Sequence, residues 1–171
     1  MQPRSGTYAL VMRCFSQQHV EVGKLGRLHL RPGFCVYVGS AFGSGGLRAR
    51  INHHLKISEN PHWHIDYLRL ILNITEVWYS YGSEQQEHLW AETFSCLKGA
   101  SMPLPGFGAS DCCCNSHLFI FTRKPSVRLF SDMLGSQLNG YQKQAAHVRV
   151  DSSPGHQLKG DTQADAQNPK L

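Results

Sequence analysis

Residues 33–55 decide how this chain folds: Gly33-Phe-Cys-Val-Tyr-Val-Gly-Ser-Ala41, a break at Gly43-Ser-Gly-Gly46, then Leu47-Arg-Ala-Arg-Ile-Asn-His-His-Leu55. The first run is rich in β-branched and aromatic residues and follows the turn Arg31-Pro32-Gly33, so it reads as a strand over 34–39. After the glycines the period changes. Leu47, Ile51 and Leu55 fall four apart and form one apolar stripe, the mark of an amphipathic helix. Arg50 and His54 share that spacing, which stacks one a turn above the other along the edge of the stripe, where a cleft would lie.

Upstream, Thr7-Tyr-Ala-Leu-Val-Met12 reads as a buried strand and Leu25 to Leu30 as a shorter one; the short separations predict antiparallel neighbours. Downstream, a helix is expected over about 64–72 and a strand over 75–81. The capping-box pattern Ser83-Glu-Gln-Gln86 opens a further helix through Leu89, Trp90, Phe94 and Leu97, which Gly99 ends. A loop over 100–116, punctuated by Pro103, Pro105 and Gly106, leads to a last strand over 117–122. The expected fold is α+β: a small, mostly antiparallel central sheet flanked by helices, complete within residues 1–124. A C-terminal helix is expected over 125–139, where Val127, Phe130, Met133, Leu134 and Leu138 keep roughly helical spacing. Residues 140–171 are polar and are expected to be disordered, having too little apolar surface to offset the entropy of ordering.

A chain of 171 residues with 41% hydrophobic content accommodates one such core. Its apolar runs fall far short of the roughly 18 residues a spanning helix needs, which excludes a membrane-spanning role from the expectation. The first residues contain no long apolar stretch of the secretory type, so an intracellular, nuclear or cytoplasmic chain is expected rather than a secreted one. Six cysteines include the triplet Cys112-Cys113-Cys114. In a reducing compartment these suit a metal or free thiols better than disulfides. The net charge is +5, and residues 1–60 carry eight basic side chains against two acidic ones. That asymmetry makes a polyanion such as nucleic acid the partner class to consider.

Several runs in this order resemble the GIY-YIG nuclease domain: Gly6-Thr-Tyr8, Gly33-Phe-Cys-Val-Tyr-Val-Gly-Ser-Ala41, Gly45-Gly-Leu-Arg-Ala-Arg50, His62-Trp-His-Ile-Asp-Tyr67 and Pro105-Gly-Phe-Gly-Ala-Ser-Asp-Cys112. The likeness covers about 6–122 and is closer to a small uncharacterised subgroup of that superfamily, whose members can be fused to DNA glycosylase domains. Thr7 and Val38 stand where the superfamily name has isoleucine, and the glutamate-bearing helix is compressed. The resemblance implies a metal-dependent endonuclease acting on DNA, in a repair setting, or on structured RNA. It implies Tyr8 and Tyr37 as cleft tyrosines, Arg50 as the phosphate clamp and His54 as a water-positioning or proton-transfer group. The carboxylate for magnesium or manganese would come from the helix after residue 83, as Glu87, which the likeness to the subgroup favours, with Glu92 fitting the wider spacing of the nucleases. Gly39, Ser40, Arg48, His62 and His64 are the expected substrate contacts, with Arg48 competing for the phosphate. These parts suit the chemistry, since phosphodiester hydrolysis needs charge stabilisation at the phosphoryl oxygens, an activated water and usually a divalent cation.

A second constellation is made of thiols and imidazoles. Cys112, Cys114 and His117 form a C-x-C-x-x-H run whose ligand types suit zinc, and a tetrahedral site needs one more ligand. His88, beside Glu87, is the first choice and His62 or His64 the others. Eight of the ten histidines precede residue 125, so some are expected to share a cleft, with His54, His62, His64, His117 and Asp66 converging. Trp63 is expected in the core. Three classes follow: a nuclease, a nucleic-acid-binding module without catalysis, and a zinc-stabilised interaction domain.

Overall fold

The strand expected at 7–12 forms and is longer: β1 spans Gly6–Cys14 and is the middle of the sheet. β4 (Gly33–Ala41) pairs with it on one side and β5 (Asn73–Tyr81) on the other, both antiparallel. β6 (Leu118–Phe121) adds to β4. In this computed structural model residues 1–137 and 146–149 are described, and the last four form a short strand, β7 (Ala146–Arg149), against β5. The sheet is antiparallel throughout, in the order β6-β4-β1-β5-β7. The expected disorder over 140–171 lies outside the described residues, apart from that strand.

Side chains alternate across a strand, so β1 feeds two cores. Tyr8, Leu10, Met12 and Cys14 face one, Ala9 and Val11 the other, all at 2% exposure or less. On the Tyr8 face lie α1 (Gly46–Leu55), through Leu47 and Ile51, and α2 (His64–Arg69), through Ile65 and Leu68. On the Ala9 face lie α3 (Glu87–Cys96) and α4 (Val127–Gln137), through Trp90, Phe94, Phe130 and Leu134. The result is the expected α+β layering of helices on a mostly antiparallel sheet.

Three local expectations change. The 25–30 strand does not join the main sheet; as β3 (Gly26–Leu30) it pairs with β2 (Gln18–Val22) in a separate two-stranded ribbon. Chain proximity suggested a meander, but β1 and β4 bury both faces and pair with each other along nine positions, Gly6↔Ala41 through Cys14↔Gly33. The capping box at 83–86 does not form: α3 begins at Glu87, and its N-cap Gln86 makes no side-chain cap. Instead the Gln86 N–H donates to the Thr7 hydroxyl at 3.2 Å, tying the helix start to β1. Finally, α4 is part of the domain rather than an appendage after 124, because the Phe130 ring stacks on Phe94 with centroids 4.3 Å apart.

Candidate functional site

A cleft of about 450 Å³ opens beside β1 and β4 on the Tyr8 face. Register places Tyr8 opposite Gly39. A Cβ at residue 39 would stand 2.6 Å from the Tyr8 hydroxyl, so the phenol lies across β4 only because that position has no side chain. The hydroxyl reaches α1, where it lies 2.7 Å from Nε2 of His54. His54 is 1% exposed. Burial, reinforced by the positive charges of His53, Arg50 and Arg69, lowers its pKa to about 3. The ring is therefore neutral near pH 7. Nε2 and the Tyr8 hydroxyl share one hydrogen bond, and Nδ1 is buried and without a partner among the described residues.

One turn back on α1, the Arg50 guanidinium sits over the Trp63 ring, 4.4 Å from its centroid. Trp63 is held by the entry to α2, where Asp66 accepts the backbone N–H groups of His62 at 3.0 Å and Trp63 at 2.9 Å. Asp66 also approaches His53, with Oδ1 3.8 Å from Nε2. The opposite wall is the loop before β6. Gly108 has φ +70°, and a Cβ there would meet Tyr37 at 2.8 Å and His117 at 3.1 Å, so this loop closes on the tyrosine only as glycine. The Gly108 N–H donates to Nδ1 of His64 at 3.0 Å. Burial pushes the Tyr8 and Tyr37 hydroxyls above the usual tyrosine range; for Tyr37 the negative charge of Glu87 is the next cause.

The cleft thus gathers Tyr8 from β1, Tyr37, Gly39 and Ser40 from β4, Arg50 and His54 from α1, His62 and His64 from the start of α2, Glu87 from the start of α3, and His117. Of the competing candidates, Arg48 and Glu92 are exposed and do not line it. Helix phase explains both, since two residues before Arg50 or five after Glu87 turn to another side. The expected convergence of His54, His62, His64 and His117 holds, whereas Asp66 stands behind the wall, braced on the backbone. Trp63 packs against the core, as expected, and also lines the cleft. Ser110 and Asp111 line it too. The signal for Trp63 was present in its polar flanks, His62 and His64.

Two groups of side chains could hold a metal ion. His88, Cys112, Cys114 and His117 bring four ligand atoms within 4.8 Å of one another, and His53, His54 and Asp66 bring three. In the first, His88 Nδ1 is 3.1 Å from Cys114 Sγ and Cys112 Sγ is 3.5 Å from His117 Nε2. Burial, then Cys112, pushes the Cys114 thiol up to about 11. All six cysteines are free. Among the described residues no helix is long and apolar enough to cross a membrane.

A family model described as "Domain of unknown function DUF123" matches residues 7–139. The match runs through α4, in keeping with the place of that helix in the core. No curated protein and no solved structure matches the chain.

Proposed function

We propose that this chain, which belongs to the DUF123 family, is a metal-dependent endonuclease of the GIY-YIG kind that hydrolyses phosphodiester bonds in DNA. The observation carrying this reading is the convergence of Tyr8, Tyr37, Arg50, His54 and Glu87, drawn from both faces of the sheet, on one polar cleft. The choice of DNA rests on the resemblance of the motifs, together with the basic excess of residues 1–60.

Each group has a part. Arg50, fixed over Trp63, presents a planar fork that matches phosphate oxygens. Held by its hydrogen bond to neutral His54, the Tyr8 hydroxyl is fixed in the cleft, where it would orient a water for attack at phosphorus. Tyr37 stands beside it with its proton retained by burial and can donate to a phosphate oxygen. Glu87 and Asp111 both line the cleft, and magnesium or manganese binds through one or two carboxylates plus substrate phosphates, so the donor set fits such a cation, with Glu87 as its holder. When bound, the cation would neutralise charge on the phosphoryl oxygens.

The test is incubation of purified full-length protein with branched, nicked and single-stranded DNA, with magnesium or manganese, beside Arg50→Ala and Glu87→Gln. Cleavage by the wild type that falls about 100-fold or more in each variant is expected, the usual cost of removing one transition-state contact. Absence of cleavage on every substrate, or undiminished cleavage by Arg50→Ala, would overturn the reading. Binding without cleavage would assign the cleft to recognition alone.

A further inference from the structure

We propose that His88, Cys112, Cys114 and His117 hold a single structural zinc ion that ties the first turn of α3 to the loop leading into β6. All four ligand atoms lie within 4.8 Å of one another, although His88 belongs to a helix and the others follow it by 24 to 29 positions, ahead of β6. Tetrahedral zinc, with Zn–S of about 2.3 Å and Zn–N of about 2.0–2.1 Å, separates its ligand atoms by roughly 3.4–3.8 Å. The Cys112–His117 approach of 3.5 Å falls in that range, and the His88–Cys114 approach of 3.1 Å is a few tenths short of it. Four protein ligands with no open position make a structural rather than a catalytic centre. Two thiolates and two imidazoles select a borderline-soft ion, which separates this site from the carboxylate-held cation at Glu87.

Ordinary packing does not account for the cluster. Buried cysteines serve as small hydrophobes, and Cys14 and Cys35 do so at 0% and 1% exposure. Cys112 and Cys114 are only partly buried and His88 is exposed, so although Cys114 touches the core and His117 is buried, core packing does not explain why the four converge. Helix α3 starts without a side-chain cap. The loop is closed at its base by backbone bonds, Gly106 N–H to Asn115 O and His117 N–H to Phe107 O, both at 2.7 Å, which bring Cys112 and Cys114 within reach of His117. A metal bridging His88 to this loop would set Glu87, the adjacent residue, against the wall that carries Gly108 and His117.

The test is zinc content of the full-length chain purified under reducing conditions, with reconstitution by zinc and by cobalt. One zinc per chain is expected, and cobalt should give the visible absorption of a tetrahedral site with a thiolate charge-transfer band. His88→Ala, at an exposed position, should weaken zinc binding by at least about 100-fold, since even losing an outer partner of a ligand costs 10–100-fold. His88→Cys should restore binding by exchanging one zinc ligand for another, and Cys113→Ser, outside the cluster, should keep the full complement. Zinc well below one per chain after reconstitution, or His88→Ala binding as tightly as the wild type, would overturn the proposal. Neither readout uses nucleic acid, so the site is judged apart from the nuclease reading.

Discussion

The Tyr8 hydroxyl and Nε2 of His54 lie 2.7 Å apart, joining the central strand to the helix that follows its neighbour. The pair is buried, with the phenol 2% and the imidazole 1% exposed. Its position makes the cleft sensitive to proton concentration and to backbone substitution beneath the ring.

Acid should destabilise the fold through His54. Its folded pKa is lowered from 6.5 to about 3, so below pH 6.5 the unfolded chain takes up a proton that the native ring refuses. Stability from this source is fully present above pH 6.5 and is lost as pH falls toward 3, by about 1.4 kcal/mol per pH unit. His64 and His117, also lowered by burial, act in the same direction. Urea melts of wild type and His54→Gln between pH 7 and 4 measure this; the variant should show the flatter dependence, and parallel curves would contradict it.

Gly39→Ala should damage both stability and the cleft. The new Cβ would stand 2.6 Å from the Tyr8 oxygen and 2.7 Å from its ring carbon, and the phenol cannot yield without breaking its bond to His54. A loss of about 1–3 kcal/mol is expected from such overpacking. Chemical denaturation gives the value, and an unchanged midpoint would show that the ring moves freely.

Arg50→Lys should lower cleavage by about 100-fold while leaving the melting temperature near that of wild type. Lysine keeps the charge but loses the planar fork and the stacking on Trp63. Trp63→Leu should give an intermediate loss, because the guanidinium keeps its charge but loses its platform. Single-turnover rates at saturating protein would separate this effect from weaker binding.

Phe130→Ala should cost about 3–5 kcal/mol, the range for a fully buried phenylalanine. The ring is 0% exposed and packs on Phe94, on Trp90 at 5.0 Å and on Trp78 at 5.6 Å. A chain cut after residue 124 would lose this whole contact and should not fold as a cooperative unit. Urea unfolding of the point variant decides whether α4 belongs to the domain.

Much of the architecture could be read from local pattern. The strands at 7–12, 34–39 and 75–81 and the helix at 47–55 appear where alternation or a four-residue stripe announced them, within a few residues at each end. The ribbon partner β2 escaped notice because Gln18-His-Val-Glu-Val22 buries only Val22 and carries little apolar signal. The helix start at Glu87 was missed because the capping pattern at 83–86 competes with a bond from Gln86 to Thr7, 79 positions away.

The sequence by itself determined most of the strands and helices, that Arg50 and His54 share a helix edge, and which ligand types the Cys112–His117 loop offers. These properties depend on residues within a turn or two of each other, where backbone periodicity and side-chain chemistry act directly. Only the tertiary structure decided that β1 pairs with β4 rather than with the nearer ribbon, that Glu87 and not Glu92 lines the cleft, that Arg48 faces away, and that His88 meets the thiols. Those outcomes follow from which faces are buried across the whole chain. Burial couples residues many tens of positions apart, and no local pattern encodes it.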